Sequence, residues 1–97
     1  MKRTDFIFTI GYQGNTAVVD KNARRIYAKA TTLELLEAGL YKPAFCSALY
    51  TNDSSEMDAF VTAYRMKTGE AEATAESLKR LFGVFGDPTA VQKVLLV

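Results

Sequence analysis

The spacing of apolar residues changes near Thr31, and this change limits the folds that the chain can adopt. Phe6, Phe8 and Ile10 recur at every second position, which is typical of a strand with one apolar face. After Thr31 the apolar residues recur at a spacing of about 3.6, which is typical of amphipathic helices. The sequence therefore predicts an α+β fold: a small N-terminal antiparallel β-meander of about three strands, followed by four or five short α-helices.

Three short strands are predicted before Thr31. Residues 5–12 are rich in aromatic and β-branched types, and residues 16–19 form a second such run after a turn at Gly14. Residues 24–29 are predicted to be the third strand. The connections are too short for parallel crossovers, which favours antiparallel pairing. A helix beginning within residues 23–30 is the alternative for the third strand.

Capping residues mark the ends of the predicted helices. Thr31 and Glu34 have the spacing of a capping box, in which each side chain accepts from the backbone N–H of the other residue. Gly39 is expected to end this helix, because glycine adopts a left-handed conformation at little cost. Further helices are predicted at about 43–50, with Pro43 in the first turn, from Ser54 or Ser55 to 69, and at 70–85. The last two are expected to form an antiparallel hairpin.

The C-terminal region allows two interpretations. Asp87 and Pro88 are predicted to be the N-cap and first residue of one more helix. Val91, Val94 and Leu95 have helical spacing, so the tail from residue 90 to residue 97 is predicted to be helical. Its high valine content makes an additional edge strand the alternative.

Length and composition predict one domain that spans residues 1–97. The chain is 48% apolar and 24% charged, the balance of an ordinary globular protein. Its longest apolar run, residues 94–97, is far shorter than the roughly 20 residues that cross a bilayer as a helix. The basic start is followed by too short an apolar stretch for a signal peptide. We therefore expect a soluble cytoplasmic protein with no membrane partner.

The absence of histidine excludes several kinds of catalytic and metal site. Without an imidazole base, Ser-His-Asp and Cys-His nucleophilic sites cannot form. The single cysteine, Cys46, cannot supply the ligands of a typical zinc site. We therefore expect no enzymatic activity, no cofactor and no metal. Cys46 lies in an apolar segment and is expected to be a buried structural residue, and one unpaired thiol is typical of a reducing compartment.

Charge is distributed unevenly along the chain. Residues 1–30 contain six Lys and Arg against two Asp, a net charge of +4, whereas residues 31–97 contain six cations and nine carboxylates, a net charge of −3. Such asymmetry is typical of proteins with a charged binding face. The favoured interpretation is that the two regions attract each other within the fold.

Arg24, Arg25, Tyr27 and Lys29 form the candidate binding surface. Alternation along a strand would place Arg25, Tyr27 and Lys29 on one face, with Arg24 on the other. Cations around an aromatic ring are typical of surfaces that hold a nucleic-acid backbone and stack a base. The same pattern is typical of an edge strand that charge protects from aggregation, and this interpretation is favoured.

Residues 31–50 have the spacing of a helix-turn-helix pair. Small and apolar residues around Gly39 occupy positions that such a pair uses for packing. The second helix would direct Lys42, Ala44 and Ser47 outward, and this set lacks the Arg, Asn or Gln that reads base edges. DNA recognition by this pair is therefore the less favoured interpretation.

These patterns predict a class of function without naming a process. The leading hypothesis is a small non-catalytic interaction or regulatory domain that associates with itself as a homodimer, or with another protein. The apolar run at residues 94–97 motivates it, because such a segment is best covered within the fold or by a partner. The alternative is a small nucleic-acid-binding protein that uses the basic sheet or the helix pair.

Overall fold

The computed structural model of the protein describes residues 1–86 and 91–97. It confirms the α+β class, since these residues form six helices and one three-stranded sheet. The elements in chain order are α1 (Arg3–Ile7), β1 (Thr9–Gln13), β2 (Thr16–Val19), α2 (Lys21–Ile26), α3 (Thr32–Glu37), α4 (Tyr41–Thr51), α5 (Ser54–Thr68), α6 (Ala75–Phe82) and β3 (Lys93–Leu96).

The first predicted strand is wrong in its first half, where α1 replaces it. Phe6, Ile7 and Phe8 are consecutive and all buried. A strand with one covered face buries only every second side chain, so three successive buried residues require another conformation. The helical turn and the residue after it direct all three into the core, and β1 begins only at Thr9.

The third predicted strand is also wrong, because residues 21–26 form α2. The Asp20 side chain accepts from the Ala23 N–H at 3.1 Å and caps the helix. The sequence did not reveal this role, because aspartate is equally common in turns. Two arginines in the last turn interact favourably with the carbonyl end of the helix dipole. A helix was the alternative for this region, but the observed helix begins at Lys21, before residues 23–30, and ends at Ile26.

The sheet is mixed and therefore differs from the predicted antiparallel meander. β1 and β2 pair antiparallel, as expected for consecutive strands, and their register has an irregularity between Thr9 and Gly11. The third strand, β3, comes from the C-terminal region and pairs parallel with β2. The predicted helix in the tail is thus wrong, and the edge-strand alternative is confirmed. β2 is the central strand of the sheet.

The first three helices after Thr31 follow the predictions closely, and the fourth follows its prediction only in part. The capping box of Thr31 and Glu34 is present, and Gly39 has a positive φ of 81°. α4 begins two residues before Pro43, and α5 is capped by Asp53 instead of by a serine. α6 is shorter than the predicted helix over 70–85 and is capped by Thr74. The predicted cap at 87 and 88 lies outside the described residues.

Aromatic side chains from α4, α5 and α6 meet in the centre of the core. The Phe45 ring lies 5.7 Å from Phe60 and 5.3 Å from Phe82, centroid to centroid. β2 contributes Ala17 and Val19, which are fully buried, whereas the alternate residues of β2 are only half-buried. One face of the sheet therefore packs against the helices, and the other is open.

Candidate functional site

Arg24 is engaged in an ion pair with a carboxylate of another helix. Its Nε atom lies 2.8 Å from Oδ1 of Asp5, whose side chain is only 10% exposed. The pair joins α2 to α1 and compensates the charge of a buried carboxylate. The sequence places Asp5 and Arg24 far apart, so the pattern of residues 24–29 could not reveal this structural role.

The other three residues of the candidate binding surface do not form a common row. Arg25 lies in the last turn of α2, and Tyr27 and Lys29 follow the helix. Arg25 and Lys29 are exposed, but Tyr27 is half-buried and packs against the core. The aromatic ring is thus used in packing, and the stacking platform expected from strand alternation is not formed.

In the described part of the chain, no ion pair connects the basic region to the acidic region. Among residues 1–86 and 91–97, Arg24 pairs with Asp5 within the basic region, while Lys67–Glu37 and Lys79–Glu76 lie within the acidic region. The proposed attraction between the two regions is therefore not made by direct pairs. Arg25 and Lys29 remain exposed cations outside these three pairs.

The helix pair α3–α4 cannot read DNA in the manner considered for residues 31–50. Ala44 and Ser47, expected to face outward, are buried, and so are the intervening residues and Ala48. Because five consecutive residues of α4 are buried, other elements surround this part of the helix on all sides, and it cannot enter a major groove. It is the central helix of the core, which the apolar spacing alone did not distinguish from a reader helix.

A buried polar chain explains why a serine lies in the middle of α4. Ser47 Oγ accepts from the Arg3 guanidinium at 2.9 Å and lies 2.8 Å from the Thr32 hydroxyl, which is also 2.8 Å from Glu56 Oε1. The carboxylate can only accept, so the single Thr32 proton is donated to Glu56 and Ser47 donates to Thr32. These four residues join α1, α3, α4 and α5 and are satisfied by one another.

Cys46 is buried, as the sequence predicts, and its thiol is poorly ionised. Burial raises the pKa of Cys46 from 9.0 to about 11, although Lys42, one helical turn earlier, lowers it in part. A thiol with this pKa has little nucleophilic thiolate at neutral pH. The structure thus gives Cys46 the properties of a small apolar core residue.

The most unusual surface of the described residues is the strand β3. Its apolar residues and the residue after it have exposed fractions of 41% for Val94, 49% for Leu95, 41% for Leu96 and 58% for Val97. A strand that is apolar and exposed at the edge of a sheet is a template for pairing with another strand. The apolar spacing of this run predicted a helix. The high valine content was the signal for the strand.

The hydrogen bonds at the two ends of β3 show which backbone groups face β2. The Lys93 N–H donates to Asn15 O at 3.2 Å, and the Val97 N–H donates to Val19 O at 3.0 Å. The Val97 carbonyl in turn accepts from the Lys21 N–H at 3.2 Å. Lys93 and Val97 therefore direct backbone groups toward β2.

Alternation along β3 then fixes the free edge of the sheet. Leu95, midway between Lys93 and Val97, also bonds toward β2, because backbone groups change side at each residue of a parallel strand. The N–H and C=O groups of Val94 and Leu96 point away from the sheet. No residue of the described part of the chain occupies them.

The two edges of the sheet differ. At the opposite edge, β1 has a register irregularity between Thr9 and Gly11, and such bulges hinder pairing with another strand. β3 pairs with β2 in continuous register over four residues and has no such irregularity. β3 is therefore the edge that can accept another strand.

Other features of the described residues do not form a site of comparable definition. They contain no cluster of His, Cys, Asp and Glu with the size of a metal site. None of their helices combines the length and apolarity that crossing a membrane requires. Comparisons with protein-family models, curated proteins and solved structures found no match for this chain.

Proposed function

We propose that the protein is a small, non-catalytic interaction domain that associates with a second copy of itself through the free edge of β3. The observation that carries this proposal is an exposed apolar strand whose outward backbone groups, at Val94 and Leu96, lack partners among the described residues. The absence of histidine supports a non-catalytic role. The buried, unpaired Cys46 supports a reducing, cytoplasmic location as part of the same proposal.

A second copy is the occupant that best fits this edge. Residues 94–97 carry no charged side chain that would select a partner of opposite charge, and they are apolar on both faces of the strand. An apolar strand is complementary to itself, and a two-fold dimer is the commonest assembly of identical chains. The irregular edge at β1 would stop growth at the dimer instead of allowing a fibre.

Proline substitutions at the outward positions test the proposal. Light scattering after size-exclusion chromatography should give twice the chain mass of 10.7 kDa at about 50 µM, a concentration at which a micromolar dimer is largely formed. Val94→Pro and Leu96→Pro each remove one N–H group that points outward, and neither removes an N–H group that bonds to β2. Edge strands tolerate proline at such outward positions. Both variants should be monomeric yet as helical as the wild type by circular dichroism.

Met66→Lys is the matched control, since Met66 is 83% exposed on α5, a helix that packs mainly against α3 and α4. This variant should keep the dimer mass. A monomeric wild type at this concentration would contradict the proposal, and so would dimers of unchanged affinity in both proline variants.

Nucleic-acid binding is the second candidate function, favoured by the exposed cations Arg25 and Lys29, which form no ion pair with another described residue. A surface that engages two or three phosphates should give a log–log salt slope of roughly −1.5 to −3. Arg25→Ala should flatten this slope by about one unit, whereas Arg80→Ala, an exposed arginine of the acidic region, should leave it unchanged. Fluorescence anisotropy at low salt with a single-stranded oligonucleotide provides the measurement. No binding at low salt would eliminate this candidate.

A further inference from the structure

We infer that two copies of the chain pair their β3 strands antiparallel, with the two-fold axis passing through Leu95. This inference rests on the proposed self-association and names the register of the same site. It would join two three-stranded sheets into one six-stranded sheet, with β3 of each copy in the middle.

The alternation of backbone groups restricts where the axis can lie. Within β3, only Val94 and Leu96 direct N–H and C=O groups outward, so each must face an outward residue of the second copy. Two outward residues are always an even number of positions apart. In an antiparallel pair of identical strands the axis must therefore pass through a residue and never between two residues.

One register uses both outward residues. With the axis at Leu95, Val94 of each copy faces Leu96 of the other, and the two pairs exchange four hydrogen bonds. With the axis at Val94, Leu96 would face Gln92 of the second copy, whose N–H already donates to Asn15 O at 2.8 Å. With the axis at Leu96, only Leu96 of the two outward residues would face an outward residue of β3 in the second copy, namely its own counterpart. The register centred on Leu95 is thus the one that pairs the whole strand.

The side chains agree with this register on both faces of the sheet. Val94 and Leu96 are in register with Ala17 and Val19, so they lie on the face that packs against the helices. Cross-strand contact between them would cover apolar surface that the helices leave 41% exposed. Leu95 is in register with half-buried Val18 on the open face, where the two copies of Leu95 would meet at the axis.

Single cysteine substitutions test the register. Directly opposite residues in a pair without backbone hydrogen bonds have Cα atoms about 4.5 Å apart, within the range of disulfides. Leu95→Cys should therefore form a disulfide-linked dimer when incubated at about 50 µM with oxidised glutathione. In the Val94→Cys and Leu96→Cys variants, the two introduced cysteines of a dimer would lie two positions apart along the paired strands instead of directly opposite. They should therefore cross-link at least about 10-fold more slowly. The wild type, whose one thiol is buried Cys46, should not cross-link.

The outcomes separate this inference from the proposed function. Light scattering on the same samples, before oxidation, reports whether the dimer exists. A dimer mass together with fastest cross-linking of Leu95→Cys supports the register. A dimer mass with faster cross-linking at position 94 or 96, or with none at all three positions, overturns the register but leaves self-association in place. A monomer mass for the wild type and all three variants overturns both.

Discussion

Burial determines what single residues in this protein can do, and Cys46 is the clearest case. The residue is 2% exposed, and the pKa of its thiol is raised to about 11. The sequence predicted this from the apolar neighbours alone. Arg24 shows the opposite outcome, because its cationic side chain was assigned to a binding surface but pairs with Asp5. A local pattern reveals apolar surroundings, but it cannot reveal an ion partner from another element.

The burial of Cys46 predicts slow labelling by thiol reagents. A pKa two units above 9.0 lowers the thiolate fraction at neutral pH by about 100-fold, and exclusion of the reagent slows the reaction further. Native protein should therefore react at least about 100-fold more slowly than protein in denaturant, measured by mass spectrometry over time. Comparable rates in the two states would show that Cys46 is accessible and would contradict a structural role.

Replacement of the same residue should affect stability alone. Cys46→Ala removes a buried sulfur atom and leaves a small void, which should lower the free energy of unfolding by about 1–2 kcal/mol. The mass of the assembled protein should not change, because Cys46 lies in α4 and not on the sheet edge. Urea unfolding and light scattering provide the two readouts. A loss of association without a loss of stability would assign Cys46 to the interface.

At the scale of elements, predictions succeeded where a cap or a long apolar stripe defined a helix. α3 has the predicted box of Thr31 and Glu34, and α5 ends at Gly69 as expected. Predictions failed for short elements, because the apolar runs at residues 6–8 and 94–97 fit either helix or strand. In those segments the conformation depends on where the segment lies relative to the core. That position cannot be read from a single sequence.

The capping box of α3 predicts a dependence of stability on pH. The Thr31 N–H donates to Glu34 Oε1 at 2.9 Å, and together with the Thr31 hydroxyl it lowers the pKa of Glu34 below 4.5. A carboxyl whose pKa is lower in the folded state stabilises the fold above its unfolded value. This stabilisation is lost as the pH falls through the lowered value. Glu34→Gln keeps a capping side chain but cannot titrate.

Urea unfolding of the wild type and Glu34→Gln between pH 6 and pH 3 measures this effect. The wild type should be the more stable protein near pH 6, and the difference should shrink as the pH falls below 4.5. A difference that is constant over this range would show that the Glu34 charge does not stabilise the helix.

At the scale of the whole molecule, the sheet is covered on one face and incomplete at one edge. The helices bury Ala17 and Val19, but they leave β3 exposed along its length. The sequence singled out the apolar run that forms this edge. It could not place the run beside β2, because a parallel pair between residues 16–19 and 93–96 leaves no local pattern. The strand that was predicted to align the basic surface is replaced by a helix, because Arg25 lies in α2 and Tyr27 and Lys29 follow it.

Amide hydrogen exchange at single-residue resolution, measured by NMR at a low and a high protein concentration, tests the role of the β3 edge most directly. At about 1 µM the amides of Val94 and Leu96 should exchange rapidly, whereas those of Lys93 and Leu95, which bond toward β2, should be protected. At about 500 µM the Val94 and Leu96 amides should slow by at least about 10-fold, because a second copy of β3 would accept their hydrogen bonds. Rapid exchange of these two amides at both concentrations would contradict self-association through this edge.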